Sequence, residues 1–252
     1  MASIDELLAD IEAAPAGPQV AAMFDFDGTI IAGYSAMPLI REQLRRGDIA
    51  PAQLLELAAA MASFGLGKMG FSGLVAVNAQ FMRGIDEKSY RELGVDLYNN
   101  HIARRVYPES RKLVQAHLAR GHTVVVVSSA TRYQLQTAAD DLDIEHVLCT
   151  GLEVKKGKFT GAVEHPACFG RGKLDAAESM AEAHGIDLDQ SFFYSDSHED
   201  RLLLERVGLP RALNPDRKLQ RLARRESWPV ARFRSRGRPS VGEYLRSVAT
   251  TG

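Results

Sequence analysis

Asp25 and Asp27 flank Phe26 and are followed at once by Gly28 and Thr29. In extended backbone, residues two apart leave on the same side, so these two carboxylates face one another. Carboxylates that close repel unless a proton or a cation stands between them. Magnesium, a hard cation that favours carboxylate and phosphate oxygens, would resolve the conflict. Gly28-Thr29 allows a tight turn, and its backbone N–H groups are expected to face an anion. An isolated acidic turn and part of a calcium loop are the competing readings. A calcium loop requires further acidic ligands at regular offsets, which Thr29, Ile30 and Ile31 do not supply.

These residues need a scaffold that brings others to them. Val20 to Phe26 is a short apolar run that closes on the aspartates and fits a buried parallel strand. Val124 to Val127 runs into Ser128-Ser129, and Ser191 to Ser195 runs into Asp196. Helical stretches are expected over Glu109 to Arg120, Arg132 to Asp140, Lys173 to His184 and Glu199 to Val207. The alternation predicts an α/β fold, a doubly wound parallel sheet with right-handed crossovers. In such sheets ligands sit beyond the carboxyl ends of the strands. Asp25, Asp27, Ser128 and Asp196 all stand at such ends, which weighs against an isolated acidic turn.

The alternation lapses from about Gly33 to Arg105. Apolar residues recur there at helical spacing in Leu39/Ile40/Leu44, Leu54/Leu55/Ala58/Met61, Leu74/Val77/Phe81 and Tyr90/Leu93/Leu97. Gly47, the Gly65-Gly67-Gly70 cluster and Gly84 supply the breaks, so about four inserted helices are expected. The Gly65 to Gly73 stretch reads as a mobile loop, and Tyr107-Pro108 as the return to the sheet. Leu152 to Val163 reads as a hairpin turning at Lys156-Gly157, and Ile4, Leu7, Leu8 and Ile11 as a short amphipathic helix. The expected divisions are 1–32, the helical insert 33–105, the rest of the core 106–240 and a tail 241–252.

Hydrophobic residues make up 45% of the 252 and charged residues 25%, as in a globular chain with a sizeable core. A net charge of −1 gives no reason to expect a nucleic-acid partner. Arg211 to Arg246 is locally basic, with 11 Lys/Arg against 3 Asp/Glu, and could meet an anionic surface or form a solvated helix and tail. The two cysteines, Cys149 and Cys168, have no zinc-type spacing and suggest a reducing compartment. No basic-then-apolar leader and no membrane-length apolar run is present, so a cytoplasmic location is expected. His117, His122 and His165 show no ligand spacing and read as core or surface residues, and His198 as a residue at the rim of the site.

Together the segments Asp25-Phe-Asp-Gly-Thr29, Val127-Ser128-Ser129, Lys173 and Tyr194-Ser-Asp-Ser-His-Glu-Asp200 resemble the four ordered motifs of the haloacid dehalogenase superfamily. The insert, the hairpin before Lys173 and Asn214-Pro215-Asp216 resemble its phosphoserine-phosphatase-like branch, subfamily IB. That resemblance implies a Rossmann-like core with an inserted all-helical cap, and hydrolysis of phosphate monoesters with Mg2+. It implies that Asp25 is the nucleophile that forms an aspartyl-phosphate, with Asp27 as general acid and then base. Ser128, Ser129, Gly28 and Lys173 would hold the phosphoryl group. Asp25, Asp196 and the backbone carbonyl of Asp27 would hold the metal, with Asp200 behind them.

The sequence departs from that branch where substrate is chosen. Its phosphoserine enzymes carry a glutamate nine positions after the nucleophile, where this chain has Tyr34. They carry an arginine seven beyond a cap phenylalanine; counted from Phe71 that position is Asn78, with Arg83 one turn further on. A charged substrate group without a counter-charge binds poorly. Met61, Phe64, Leu66, Met69, Phe71, Leu74 and Phe81 make the insert apolar, which points to a small or lipid-linked phosphate ester. Phosphoserine hydrolysis, dehalogenation, phosphomutase transfer and a binding module of low turnover are the alternatives.

Overall fold

The computed structural model describes residues 1–48, 50–65 and 71–233. Its framework is a six-stranded, wholly parallel sheet of β1 (Ala21–Phe24), β2 (Thr123–Thr131), β3 (His146–Thr150), β6 (Phe192–Ser195), β7 (Leu209–Leu213) and β8 (Val230–Ala231). The spatial order is β3-β2-β1-β6-β7-β8. The chain runs outward from β1 to β3, then returns past β1 to build the other half. Its order therefore reverses at β1 and β6, where open α/β sheets place their ligands. The remaining strands, β4 (Leu152–Lys155) and β5 (Lys158–Val163), form the expected antiparallel hairpin. Lys156 and Gly157 turn it with φ of 52° and 74°, the left-handed pair that a two-residue turn requires.

Side chains alternate between two cores, as the pleat dictates. Ala22, Phe24, Val124, Val126, Phe192 and Tyr194 face one core, and Ala21, Met23, Val125, Val127 and Phe193 the other. α1 (Ile4–Ala13), α6 (Pro108–Ala119) and α7 (Arg132–Asp141) cover the first face. α8 (Arg171–His184), α9 (Arg201–Arg206) and α10 (Arg217–Arg225) cover the second. Ser3 starts α1 through a reciprocal capping box with Glu6, and Leu7 and Ile11 carry its apolar stripe inward.

Between β1 and α6 the described residues of the insert form α2 (Ala36–Arg46), α3 (Pro51–Gly65), α4 (Phe71–Phe81) and α5 (Glu87–Leu97), followed by a π-helical turn (Tyr98–Ile102) and a 3-10 turn (Ala103–Arg105). Gly47 ends α2 with φ of 76°, as its position implied. The stretch read as a mobile loop is partly helical, since Gly65 closes α3 and α4 begins at Phe71; 66–70 lie outside the described residues, as does the tail from 234 onward. The chain enters and leaves this insert side by side. Ile31 and Val106 form an antiparallel bridge, the Ala32 amide donates to Arg105 O at 2.8 Å, and the Tyr107 amide to Ile30 O at 2.9 Å.

Beneath the sheet, His117 and His122 are core residues joined in a fixed chain of hydrogen bonds. His122 Nε2 lies 2.9 Å from Pro15 O, which can only accept, so that nitrogen carries the proton. His122 Nδ1 then accepts from His117 Nδ1 at 2.8 Å, and His117 Nε2 accepts from the Tyr194 hydroxyl at 2.8 Å. This is the arrangement in which both rings are neutral, in keeping with burial lowering both pKa values. Burial, His122 and Arg211 hold the His117 pKa well below its ordinary value. A histidine that resists protonation when folded but accepts a proton when unfolded destabilises the fold as pH falls below about 6.5. The stability advantage of wild type over His117→Phe should therefore shrink by about 1 kcal/mol from pH 6.5 to 5.5, read from urea midpoints. A constant difference would show that His117 is not buried neutral.

Candidate active site

β1 lies between β2 and β6, so their carboxyl ends adjoin. Asp25 follows β1 directly, with its amide donating to Tyr194 O on β6 at 2.9 Å. Ser128 sits where the β2–β3 register shifts between Val127 and Thr131. Such a bulge re-aims side chains at a strand end; here the Ser128 Oγ accepts from the Ala130 amide at 3.2 Å. Asp25, Ser128, Lys173, Asp196 and Asp200 are all buried. The residues picked from the sequence thus meet at one edge of the sheet.

Lys173, on the first turn of α8, reaches across that edge. Its Nζ donates to Asp25 Oδ1 at 2.6 Å and to Asp200 Oδ2 at 2.9 Å. The Ser195 hydroxyl donates to Asp200 at 2.7 Å and accepts from the Ser197 amide at 3.1 Å, fixing the carboxylate that steers the lysine. Burial pulls the Lys173 pKa down, but Asp200 and Asp25 outweigh it and the net shift is upward. Burial pushes Asp25 up to about 7, against the pull of Lys173 and with the neighbouring charges of Asp200 and Asp27 adding to the rise. Asp25 and Asp200 thus share one buried ammonium.

Asp27 is held from the insert. Its Oδ1 accepts from the Ser35 amide at 2.8 Å and its Oδ2 from the Ser35 hydroxyl at 3.2 Å. Gln134 on α7 donates to that hydroxyl at 3.0 Å, and its own oxygen accepts from Thr131. Burial raises Asp27 to about 6, against the lowering effect of Ser35 and of the Lys173 and Arg105 charges. Ser35 and Gln134 were not singled out from the sequence. The available signal was a serine just before an amphipathic helix, eight positions after Asp27.

Gly28 plays a different part from the one expected. Its amide donates to Ile31 O at 2.9 Å and Gly33 O at 3.1 Å, so it is committed to the turn rather than offered to an anion. What the position requires is room. A Cβ there would lie 2.2 Å from Asp196 Oδ2, and φ is 79°. The Gly28 carbonyl accepts from Asn214 Nδ2 at 2.9 Å. Asp216 ties the neighbouring loop, its amide donating to Asp196 O at 2.8 Å and its carboxylate accepting from the His198 amide at 3.0 Å. Asn214-Pro215-Asp216 is thus the brace that seats Asp196 against Gly28.

Beside Asp27 opens a cavity of about 180 Å³ between the insert and the β2–α7 junction. Ser129, Thr131 and Gln134 line one side; Met37, Leu39, Ile40, Leu57, Met61, Val75 and Asn78 line the other. Asn78 therefore stands at the wall, as its spacing suggested. Arg83 and Tyr34 are not among the described lining residues. Arg83 packs on Gly161 of the hairpin, where a Cβ would lie 3.1 Å from its Nε, and Tyr34 is 52% exposed. Neither reaches the cavity as the sequence allowed. Asp27 is the one charged residue among the described lining.

Among the described residues, no group of three or more His, Cys, Asp or Glu side chains forms a metal site alone. The residues present still suit a hard cation. Asp25 and Asp196 are buried carboxylates, burial raises the Asp25 carboxyl with the Asp200 and Asp27 charges adding to the rise, and the Asp27 carbonyl lies in the same turn. Two carboxylates and a carbonyl, with the other positions left to phosphate and water, match what magnesium takes.

Two glycines of this turn separate space from strain. Gly28 and Gly33 have φ of 79° and 83°, but nothing lies within 4 Å of a Cβ at Gly33. Gly33→Ala should cost only the left-handed conformation, about 1–2 kcal/mol in unfolding free energy. Gly28→Ala should cost about 2–5 kcal/mol because Asp196 must also move, and the phosphate-ester hydrolysis that the motifs imply should fall at least about tenfold. Equal losses in the two variants would refute the close approach.

The model of the haloacid dehalogenase-like hydrolase family matches residues 22–205. The chain is 34% identical over 219 residues to a phosphoserine phosphatase of Mycobacterium tuberculosis, covering 85% of this chain and 71% of that one. It is 32% identical over 220 residues to the inhibition of morphological differentiation protein of Streptomyces azureus, covering 86% and 79%. A protein with unknown function from Bordetella pertussis shares the fold, with a TM-score of 0.77 at 24% identity over 85% of this chain and 98% of that one. The matched span holds every carboxylate of the cluster together with Ser128 and Lys173, and the chain belongs to the haloacid dehalogenase superfamily as a phosphatase of the phosphoserine-phosphatase-like branch.

Proposed function

We propose that this phosphatase is a magnesium-dependent phosphomonoesterase working through Asp25, and that its substrate is a small or lipid-linked ester whose alcohol is largely apolar. The observation that carries the chemistry is the junction of Lys173 with Asp25 and Asp200 at the edge shared with Ser128 and Asp196. Asp25 attacks phosphorus, and the bond from phosphorus to the ester oxygen breaks. The leaving oxygen takes the Asp27 proton; a carboxyl raised to about 6 exchanges protons readily near neutrality. Asp27 then removes a proton from water, the water oxygen attacks phosphorus, and Asp25 is released with phosphate. Ser128 and Ser129 orient the phosphoryl oxygens, and Lys173 offsets charge on them and on Asp25. Asp25, Asp196 and the Asp27 carbonyl would hold magnesium, which when bound screens the carboxylate from the phosphate it must approach.

The cavity wall supports the substrate class. Phosphoserine needs a carboxylate for its ammonium and a cation for its carboxylate, and the described lining offers Asp27 alone, already engaged with Ser35. Phosphoserine hydrolysis remains the second reading because a relative 34% identical bears that name. The substrate choice rests on Leu39, Ile40, Leu57, Met61 and Val75, which favour hydrocarbon.

Phosphate release from a panel of monoesters tests both parts. With magnesium, wild type should turn over, and Asp25→Asn should lose at least about a thousandfold in kcat. No turnover on any ester would favour a binding protein instead. Across phosphate esters of straight-chain alcohols, kcat/KM should rise about fourfold for each methylene buried until the cavity is filled. Preference for phosphoserine over every alkyl ester would reverse the substrate assignment and leave the reaction intact.

A further inference from the structure

Between α9 and α10 runs a second groove, of about 460 Å³, lined by His198, Arg201, Lys218, Arg221, Leu222 and Arg225. The α10 residues fall at intervals of three, four and seven, a single stripe of the helix. Leu222 is the buried floor, and Lys218, Arg221 and Arg225 rise from it exposed. The groove shares no described lining residue with the cavity beside Asp27. It opens at the same edge of the sheet, because His198 follows Asp196 by two residues and its amide is tied to Asp216.

The stripe is unfavourable for the helix that bears it. Like charges three and four apart repel, and a lysine in the first turn opposes the helix dipole. A helix that merely faces solvent interleaves both signs. The counter-charges here are few: Glu205 meets Arg201 at 3.7 Å, and Glu226 meets Arg225 at 2.7 Å. Asp216 adds negative charge, but its oxygens accept from the amides of Lys218, Leu219 and His198. Arg221 Nε donates to the Arg217 carbonyl at 3.2 Å, which is neutral. The Lys218 ammonium has no ion-pair partner among the described residues.

We propose that this groove binds a phosphate-bearing anion other than the ester phosphate at Asp25. Arg201, Arg221 and Arg225 offer planar forks matched to phosphate oxygens, Lys218 a point charge, and Leu222 an apolar floor for whatever the phosphate is attached to. The ligand is a lipid headgroup or a soluble phosphate, which share that chemistry. The assignment is independent of which ester is hydrolysed.

Two probes distinguish the sources: pyrophosphate by titration calorimetry without added metal, and co-sedimentation with phosphatidylcholine vesicles containing phosphatidylglycerol. They are applied to wild type and to Lys218→Glu/Arg221→Glu, with unfolding midpoints as the check on folding and Lys218→Gln/Arg221→Gln as the substitute if the reversal does not fold. The variant should lose one bound pyrophosphate per chain, or bind vesicles at least about tenfold more weakly. Loss on vesicles identifies a headgroup as the source, and loss on pyrophosphate alone a soluble phosphate. Binding of both probes that is unchanged by the variant, or binding of neither by wild type, would overturn the proposal.

Discussion

A buried ammonium holding two buried carboxylates is the interaction on which the rest of this molecule turns. Lys173 lies at hydrogen-bond distance from Asp25 and Asp200, and all three are shielded from water. Taking such charges out of solvent is costly, and removing one partner leaves the others stranded at about 3–5 kcal/mol. The sheet order, the start of α8 and the Ser195 hydroxyl all act to keep that geometry. Burial keeps Asp25 raised to about 7 despite the lysine, and a hard cation placed at this edge would favour its ionised form.

Much of this was legible because the chemistry lies where apolar runs stop. Four valines ending in Ser128 and an aromatic run ending in Asp196 need no tertiary knowledge to read as strand ends. β1 proved shorter than its apolar run, since Phe26 already belongs to the turn, and β2 longer, because it continues past the bulge to Thr131. β7 went unread because Pro210 and Arg211 interrupt it. Arg211 is accommodated by Asp10 at 2.9 Å and by the Phe192 ring beneath it, partners distant in sequence. β3 alternates poorly and β8 is two residues long, so neither carries a periodic signal. Ser35 and Gln134 were missed for the same reason as Arg211: their meaning lies in a contact across the fold.

The reactive edge and the adjoining cavity follow different constraints. The edge is set by sheet register and by short polar contacts, so a substitution such as one at Gly28 strikes a carboxylate directly. The cavity is walled largely by side chains from α2 to α4, an insert tied to the carboxylates at the strand ends through the Ser35–Asp27 contact. Hydrocarbon walls tolerate exchange among residues of similar volume far better than a charge cluster does. On the proposed function, chemistry and selectivity are therefore held in different parts of the chain, joined at the paired segments beside Ile31 and Val106.

That junction bears on how the chain is made as well as how it works. Ala21 pairs with Thr123 and Ala22 with Phe192, so the central strand has no neighbour close to it in sequence. Asp25 leaves the ribosome early, whereas Lys173, Asp196 and Asp200 follow only after the insert and half the sheet. Pairing that must close such long loops forms late. The cluster of Lys173 with Asp25 and Asp200 needs the end of β1, the start of α8 and the turn after β6 together. Any chain that has placed β6 beside β1 already carries Lys173, because α8 precedes β6 in sequence.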